Sequence, residues 1–116
     1  MSLTLRGLHP ELRPYAELAH RIAEAYGVQP VVTSVFRSWE EQARLRARYE
    51  AGKAKFPANR PGDSAHNYGL AWDSWVPPEQ QDLWDAIRRY VGFEVLPNDR
   101  IHAQLPSWRS SVSYTH

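Results

Sequence analysis

The fold is decided by residues 63–73, which read Asp63-Ser64-Ala65-His66-Asn67-Tyr68-Gly69-Leu70-Ala71-Trp72-Asp73. A histidine and an aspartate stand seven positions apart in this stretch, separated by a glycine that permits a turn and by a short apolar run that predicts a strand. A second histidine, His102, follows later in the chain. Two imidazoles and one carboxylate can hold a Zn²⁺ ion and leave its fourth position open. We therefore expect the rest of the fold to bring these three side chains together.

The composition is that of one ordinary globular domain. The chain has 116 residues, of which 42% are hydrophobic and 23% are charged. Its formal net charge is only +1, so no global field requires a polyanionic partner, and we expect no nucleic acid partner. The chain contains no cysteine, which excludes disulfides and thiolate metal sites and leaves His, Asp and Glu as the possible metal ligands.

The first ten residues lack the basic and then apolar pattern of a signal peptide. No apolar run approaches the ~20 residues that a membrane-spanning helix needs. We therefore expect the chain to be made in the cytoplasm without a signal peptide and without membrane insertion. If it acts outside the cell, lysis or another export route must release it.

Periodicity and cap signals predict three helices. Apolar residues recur at helical spacing over 12–26, with Gly27 as the stop. Residues 38–51 begin with a capping-box sequence, Ser-Trp-Glu-Glu, which predicts a second helix. Residues 77–92 begin with Pro-Pro-Glu and end in glycine, which predicts a third. The positions of the third helix expected to face inward are Leu83, Trp84, Ile87 and Val91.

Four segments predict the strands of a small sheet. Residues 29–36 and 70–76 are rich in β-branched and aromatic side chains, and we place the first of them in the interior of the sheet. Residues 93–96 and 101–105 are shorter candidates, joined by a turn at residues 97–99. The sum is an α+β domain in which helices pack on one small, mostly antiparallel sheet.

The remaining segments predict a loop, a charged surface and a tail. Residues 52–63 show no periodicity and predict a surface loop. Between Arg37 and Arg60, seven Lys or Arg residues stand against three Glu. This stretch is consistent with a solvated helix face and also with attraction to anionic polymers. We expect a single domain over 1–116, with a core over about 8–106 and a loosely held, serine-rich tail from Pro106.

Three sequence elements together resemble a family of zinc peptidoglycan peptidases, related to VanY and to phage L-alanyl-D-glutamate endolysins. The first is Ser64-x-His66-x-x-Gly69-x-Ala71-x-Asp73. An upstream element is similar to the family's T-S-G-Y-R-S…Q…L pattern and reads Thr33-Ser34-Val35-Phe36-Arg37-Ser38, followed by Gln42 and Leu45. The third is Asp99-x-x-His102, an acid three residues before a histidine. The elements stand in the family's order over roughly residues 31–104.

The resemblance implies a fold and a set of site residues. The implied fold is the α+β domain of the Hedgehog and D-Ala-D-Ala peptidase type. The implied zinc ligands are His66, Asp73 and His102. The implied general base is Asp99, with Glu94 as the alternative. Each residue also has a structural interpretation: a buried core histidine for His66, a turn cap for Asp73, and a turn former for Asp99.

Other residues of the same elements are expected to bind substrate. Arg37 can hold a substrate carboxylate or polarise the scissile carbonyl, because a guanidinium donates in a planar fork. Alternatively, Arg37 forms a surface ion pair with Glu40 or Glu41. Ser64 can hydrogen-bond substrate or a ligand, and Gln42 contacts substrate or braces the site. Three histidines outside these patterns are expected to be structural or solvent-facing: His9, His20 and His116.

The resemblance implies zinc-dependent hydrolysis of an amide bond in peptidoglycan stem peptides. An acid of the Asp type at position 99 is more typical of L-Ala–D-Glu endopeptidases, which makes this the expected activity. The alternatives are a D-Ala-D-Ala carboxypeptidase and a non-catalytic binding domain on the same scaffold. We expect a monomeric catalytic domain that acts on the cell wall, either in phage lysis or in bacterial wall remodelling.

Overall fold

The computed structural model describes residues 4–113. Its regular elements, in chain order, are α1 (Arg13–Ala25), β1 (Val31–Ser34), α2 (Trp39–Glu50), β2 (Ala71–Trp75), α3 (Gln81–Val91), β3 (Glu94–Leu96), β4 (Asp99–Gln104) and α4 (Trp108–Ser113). Short 3₁₀ helices occupy Leu5–Gly7, Ala65–Tyr68 and Pro78–Gln80. The prediction for His116 falls outside the described residues. Within residues 4–113, no helix has the length and apolarity that crossing a bilayer requires.

The four strands form one antiparallel sheet in the order β1-β2-β4-β3, which confirms the predicted α+β class. The predicted position of β1 is wrong. Among the strands that the structure describes, β1 pairs with β2 alone and lies at the edge of the sheet. A run of β-branched residues indicates a half-buried pleated surface, and it does not specify how many strands flank it.

The predicted helix boundaries agree with the structure to within a few residues. The capping box of α2 is complete, because Ser38 Oγ accepts from the Glu41 backbone N–H at 3.0 Å and Glu41 Oε1 accepts from the Ser38 N–H at 3.2 Å. Helix α3 ends at Gly92, whose φ of 117° is open to glycine but not to most other residues. The inward position predicted for Leu83 is wrong, since that side chain is 38% exposed. Helix α3 instead buries Trp84, Asp85, Ile87 and Arg88.

The main core lies between helices α1 and α3 and the sheet. Helix α1 presents alanines that are fully buried, which permits a close approach of the helix backbone. Trp72 of β2 and Trp84 of α3 are also fully buried. His20 fills the space between them: its Nε2 accepts from Trp72 Nε1 at 3.2 Å, and its ring meets that of Trp84 edge-on at 4.9 Å. His20 is therefore structural, as expected.

A second, smaller cluster forms under the end of the chain. It consists of Ala65, Leu70, Ala71 and Trp108. Trp108 is only 6% exposed, and its ring lies 5.7 Å from that of Tyr68. The expectation of a loosely held tail from Pro106 therefore does not hold at Trp108, because one large apolar side chain is enough to dock a short helix.

Candidate metal centre

His66 is held by the short 3₁₀ helix Ala65–Tyr68. Ser64 caps this helix, because its Oγ accepts from the His66 backbone N–H at 3.3 Å. The chain then turns through Gly69, whose φ is 71°. A Cβ at this glycine would lie 3.0 Å from the His9 backbone nitrogen. Only glycine fits this turn, which explains why the motif places one between the histidine and the strand.

Asp73 and His102 are direct neighbours across the sheet. Asp73 of β2 and His102 of β4 are cross-strand partners, so the sheet register itself brings them together. The rings of His66 and His102 have centroids 5.0 Å apart. One possible ligand atom from each of the three residues lies within 4.8 Å of the other two. The structure thus brings together all three of the residues predicted as metal ligands.

The tautomer of His66 follows from its hydrogen bonds. Its Nδ1 lies 2.6 Å from the backbone carbonyl oxygen of Val35, which can only accept. Nδ1 therefore carries the proton in the neutral ring, and the lone pair is on Nε2. That Nε2 lies 3.2 Å from Asp73 Oδ1.

The same reasoning applies to His102. Its Nε2 lies 2.8 Å from Gln104 Oε1. The orientation of the Gln104 amide is set by Glu94, because Gln104 Nε2 donates to Glu94 Oε1 at 2.6 Å. Nε2 of His102 therefore donates, and its lone pair is on Nδ1, which lies 3.2 Å from Asp73 Oδ1. Lone pairs from both imidazoles converge on a single carboxylate oxygen.

A positive charge at the centre of this cluster would stabilise it, because the groups that meet there are electron-pair donors. Lone pairs that face a carboxylate repel it, so without a metal ion a ring must take up a proton before it can donate to Asp73. Burial pushes the pKa of Asp73 up, but hydrogen bonds from the protonated rings of His102 and His66 outweigh burial and hold that pKa below its usual range. Burial lowers the pKa of His102, but its bonds to Asp73 and Gln104 outweigh this and raise that pKa above the ordinary value. Both ring lone pairs and the Asp73 carboxylate are acceptors. A divalent metal satisfies all of them at once, and two imidazoles with one carboxylate are a fitting donor set for Zn²⁺.

Asp99 lies at the start of β4, next to a large bulge. Leu96 pairs with Asp99, but Val95 pairs with Ala103, so residues 100–102 have no partner on β3. The Asp99 side chain is exposed. Partial burial of its carboxyl group raises the pKa of Asp99. The charge of His102 lowers that pKa, and the charge of Asp73 raises it. Asp99 is thus within electrostatic reach of the cluster.

Glu94, the alternative base, has another partner. Its carboxylate accepts from Gln104 Nε2 and so supports the amide that orients His102. Gln104 itself was not predicted as a site residue, although it stands two positions after His102. Carboxylate partners behind a ligating histidine commonly fix its tautomer. Glu94 is therefore engaged with Gln104, whereas the carboxyl group of Asp99 lies within electrostatic reach of the cluster.

Arg37 is anchored beside the cluster. Its backbone N–H donates to the His66 carbonyl oxygen at 3.0 Å. Its guanidinium donates to Gln42 Oε1 at 3.1 Å and to Ser34 Oγ at 3.2 Å. Ser34 is the cross-strand partner of Asp73, so the guanidinium is directed toward the strand that carries the cluster.

The surface alternative for Arg37 is not what forms. Within the described part of the chain, the side-chain hydrogen bonds of Arg37 go to Gln42 and Ser34, and no ion pair joins it to Glu40 or Glu41. Gln42 is 1% exposed, and its Nε2 donates to the Asn59 carbonyl oxygen at 2.8 Å. Gln42 therefore braces Arg37, and the prediction that it contacts substrate directly does not fit its burial.

Two further residues support the site without having been predicted. Asn67 donates from Nδ2 to the Arg37 carbonyl oxygen at 2.8 Å and accepts at Oδ1 from the Gly62 N–H at 3.0 Å. It therefore ties the upstream element to the motif around His66. Ser34 supports the guanidinium of Arg37. Both lie inside the quoted elements, but polar residue types alone do not reveal such partners.

Comparison with known families decides what this cluster belongs to. The profile of the family described as "VanY: D-alanyl-D-alanine carboxypeptidase" matches residues 6–99. The chain belongs to the VanY family. The matched region contains His66, Asp73 and Asp99, and it ends before His102.

One curated VanY-like relative is the peptidoglycan L-alanyl-D-glutamate endopeptidase CwlK of Bacillus subtilis (strain 168). The two sequences are 39% identical over 83 residues, which cover 67% of this chain and 48% of CwlK. The chain thus spans about half the length of that relative.

Solved structures share the VanY fold. A vancomycin-resistance D,D-pentapeptidase VanY, solved in complex with Zn(II), matches with a TM-score of 0.66 and 21% identity over 92% of this chain and 78% of its own. The L-Ala D-Glu endopeptidase ChiX of Serratia marcescens matches with a TM-score of 0.59 and 25% identity over 92% of this chain and 86% of its own. These likenesses confirm the predicted fold, and the family match over residues 6–99 confirms the predicted family.

Proposed function

We propose that this chain binds Zn²⁺ through His66, Asp73 and His102 and hydrolyses an amide bond in peptidoglycan stem peptides. The observation that carries the proposal is the convergence of two imidazole lone pairs on Asp73 Oδ1, each at 3.2 Å. Membership of the VanY family supports the substrate class. The Zn(II) bound to a protein of the same fold supports the choice of metal.

The residues around the cluster have complementary roles in such a hydrolysis. A Zn²⁺ ion held by this donor set supplies Lewis acidity, which acidifies water and polarises a carbonyl. Asp99 takes the proton of the attacking water and passes it to the leaving amine. In the metal-free chain, partial burial raises the pKa of Asp99, which is the direction that favours proton uptake by a base.

Arg37 and Ser64 are the candidates for holding the peptide. Gln42 and Ser34 fix the Arg37 guanidinium, so it loses little freedom when it binds a substrate carboxylate or carbonyl oxygen. Ser64 Oγ accepts the His66 N–H, which leaves its hydroxyl proton available for donation to substrate. Ser64 is only 5% exposed and caps the short helix that carries His66, so its hydroxyl group is fixed next to that residue.

The bond between L-Ala and D-Glu is the proposed point of cleavage. The 39% identity to an L-alanyl-D-glutamate endopeptidase and the presence of Asp at position 99 both favour it. The description of the matching family favours a second candidate, cleavage of D-Ala–D-Ala by a carboxypeptidase. Either activity acts on the cell wall.

Digestion of purified peptidoglycan distinguishes these candidates. The zinc-loaded chain is expected to generate new N-terminal D-Glu, which end-group labelling and mass spectrometry of the soluble fragments detect. Release of free D-Ala without new amino termini on D-Glu establishes the carboxypeptidase instead. A chain that binds zinc but leaves every wall preparation intact refutes catalysis and supports a binding domain. Asp99→Asn, which keeps the three metal-binding side chains, is the matched inactive control.

A further inference from the structure

A buried ionic cluster joins α3 to β4, outside the candidate metal centre. Arg88 is fully buried and Asp85 is 2% exposed, and Arg88 Nη2 donates to Asp85 Oδ1 at 2.6 Å. The other carboxylate oxygen, Oδ2, accepts from Arg100 Nε at 2.6 Å. Burying charges is costly, and well-packed apolar side chains in their place are often at least as stable. The cluster is therefore weak evidence for stability, and its contacts with the backbone indicate another role.

Two further hydrogen bonds of Arg88 go to the backbone of β4, while its Nε donates to the Trp84 carbonyl oxygen within α3 at 3.3 Å. Nη2 also donates to the Arg100 carbonyl oxygen at 2.8 Å, and Nη1 donates to the Ile101 carbonyl oxygen at 3.3 Å. Both carbonyls belong to the bulge of residues 100–102, which does not pair with β3. A backbone carbonyl that loses its ladder partner needs another donor. The rigid fork of a guanidinium can serve two such carbonyls and a carboxylate together.

Helix α3 is in turn fixed to the strand that carries Asp73. Trp84 Nε1 donates to Ser74 Oγ of β2 at 2.8 Å, and both residues are fully buried. The Arg88 guanidinium lies 5.0 Å from the centroid of the Trp84 ring. One turn of α3 therefore contacts β2 beside Asp73 and β4 beside His102.

The bulge carries residues of the site at both of its ends. Asp99 stands immediately before it, and His102 is its last residue. We infer that Arg88 is a positioning residue: its guanidinium holds the bulge of β4 and thereby sets where Asp99 and His102 lie relative to Asp73. The part of this inference that concerns Asp99 rests on the proposed function, whereas the part that concerns His102 requires only metal binding.

The test uses the double variant Asp85→Leu/Arg88→Met, which removes both buried charges together. Arg100 keeps an acidic partner, because its Nη2 also donates to Asp82 Oδ1 at 2.5 Å. The expected result is a folded protein whose affinity for Zn²⁺, measured by competition with a chromophoric chelator, falls roughly tenfold, as for partners behind metal ligands. Turnover on stem peptide falls roughly 100-fold with KM nearly unchanged, as for a small misplacement of a catalytic group. Backbone amides 100–102 exchange hydrogen faster.

The matched control is Glu40→Gln/Arg44→Met, which removes an exposed arginine–carboxylate pair of α2 and is expected to change none of these values. If the double variant fails to fold, Arg88→Lys replaces it, because lysine keeps the charge but cannot reproduce the fork. A folded variant with wild-type zinc affinity and wild-type exchange at 100–102 overturns the inference. If the wild-type chain cleaves no stem peptide, the proposed function fails, and zinc affinity and exchange still decide the role of Arg88.

Discussion

Asp73→Asn is the sharpest test of the metal centre, because it removes one charge and almost no volume. The Asp73 side chain is 14% exposed and faces a lone pair of each imidazole. An asparagine amide can donate to one of these lone pairs, so the metal-free fold is expected to survive with little loss. Its neutral oxygen, however, is a much poorer zinc ligand than a carboxylate.

The expected effect on thermal stability can be estimated. Free Zn²⁺ at 100 times its dissociation constant stabilises a folded protein by about 2.7 kcal/mol, which corresponds to roughly 10 °C in Tm for a domain of this size. Loss of a ligand should weaken binding about 100-fold, the upper end of what loss of an outer-shell partner costs. The same zinc concentration would then stabilise Asp73→Asn by only about 0.4 kcal/mol, or roughly 2 °C.

Differential scanning fluorimetry with and without zinc measures the zinc-induced rise in Tm of the wild-type chain and of Asp73→Asn. Asp63→Asn is the matched control, because Asp63 lies in the same stretch of residues 63–73, pairs with Arg109 and is 49% exposed. This control should keep the whole zinc-induced rise in Tm. A rise of the wild-type size in Asp73→Asn would show that the carboxylate does not bind the metal and would refute the reasoning.

Three further predictions concern the base, a buried histidine and the turn of the motif. Asp99→Asn should keep the zinc-induced rise in Tm while stem-peptide hydrolysis, followed by chromatography, falls about 10²–10⁴-fold, as for loss of a general base; unchanged hydrolysis would transfer the role to another group. Burial, together with the charge of Arg88, lowers the pKa of His20 from 6.5 to about 4. Between pH 6.5 and pH 4, His20 therefore binds a proton in the unfolded chain but not in the folded chain. The contribution of His20 to the free energy of unfolding is complete above pH 6.5 and falls by about 3 kcal/mol as the pH drops to 4. Urea unfolding should show a flatter pH profile for His20→Gln, and identical profiles would contradict the assignment. Gly69→Ala should cost at least about 1 kcal/mol more than Gly52→Ala in thermal unfolding, because both glycines have positive φ but only the added Cβ at position 69 meets backbone atoms; equal losses would show that this contact relaxes.

The parts of the fold that depend on neighbouring residues in sequence could be predicted. The capping box of α2, the glycine stop of α3 and the strand after Gly69 are all local signals, and each appears where the sequence indicated. The edge position of β1 and the docking of Trp108 depend on contacts between distant segments, which periodicity does not encode.

The candidate site divides in the same way. His66, Asp73 and His102 could be selected because their spacing resembles a family pattern, and the structure brings them together. The partners behind them could not be selected. Gln104 is recognised only by its hydrogen bond to His102, and Arg88 acts through a bulge that no local sequence signal predicts. From sequence alone, an arginine in an amphipathic helix is predicted to lie at the surface, because arginine is seldom fully buried. Only the neighbouring strand shows that Arg88 is buried.

The types of donor atom in the cluster determine which conditions would remove a metal ion bound there. Its candidate ligands are nitrogen and oxygen atoms, and the whole chain contains no cysteine. Peroxide and other oxidants that convert thiolates to sulfenic or sulfinic acids therefore find no ligand to attack. Protons, by contrast, compete directly for both imidazoles. Acidification, and not oxidative stress, is the condition expected to release a metal ion bound by these three side chains.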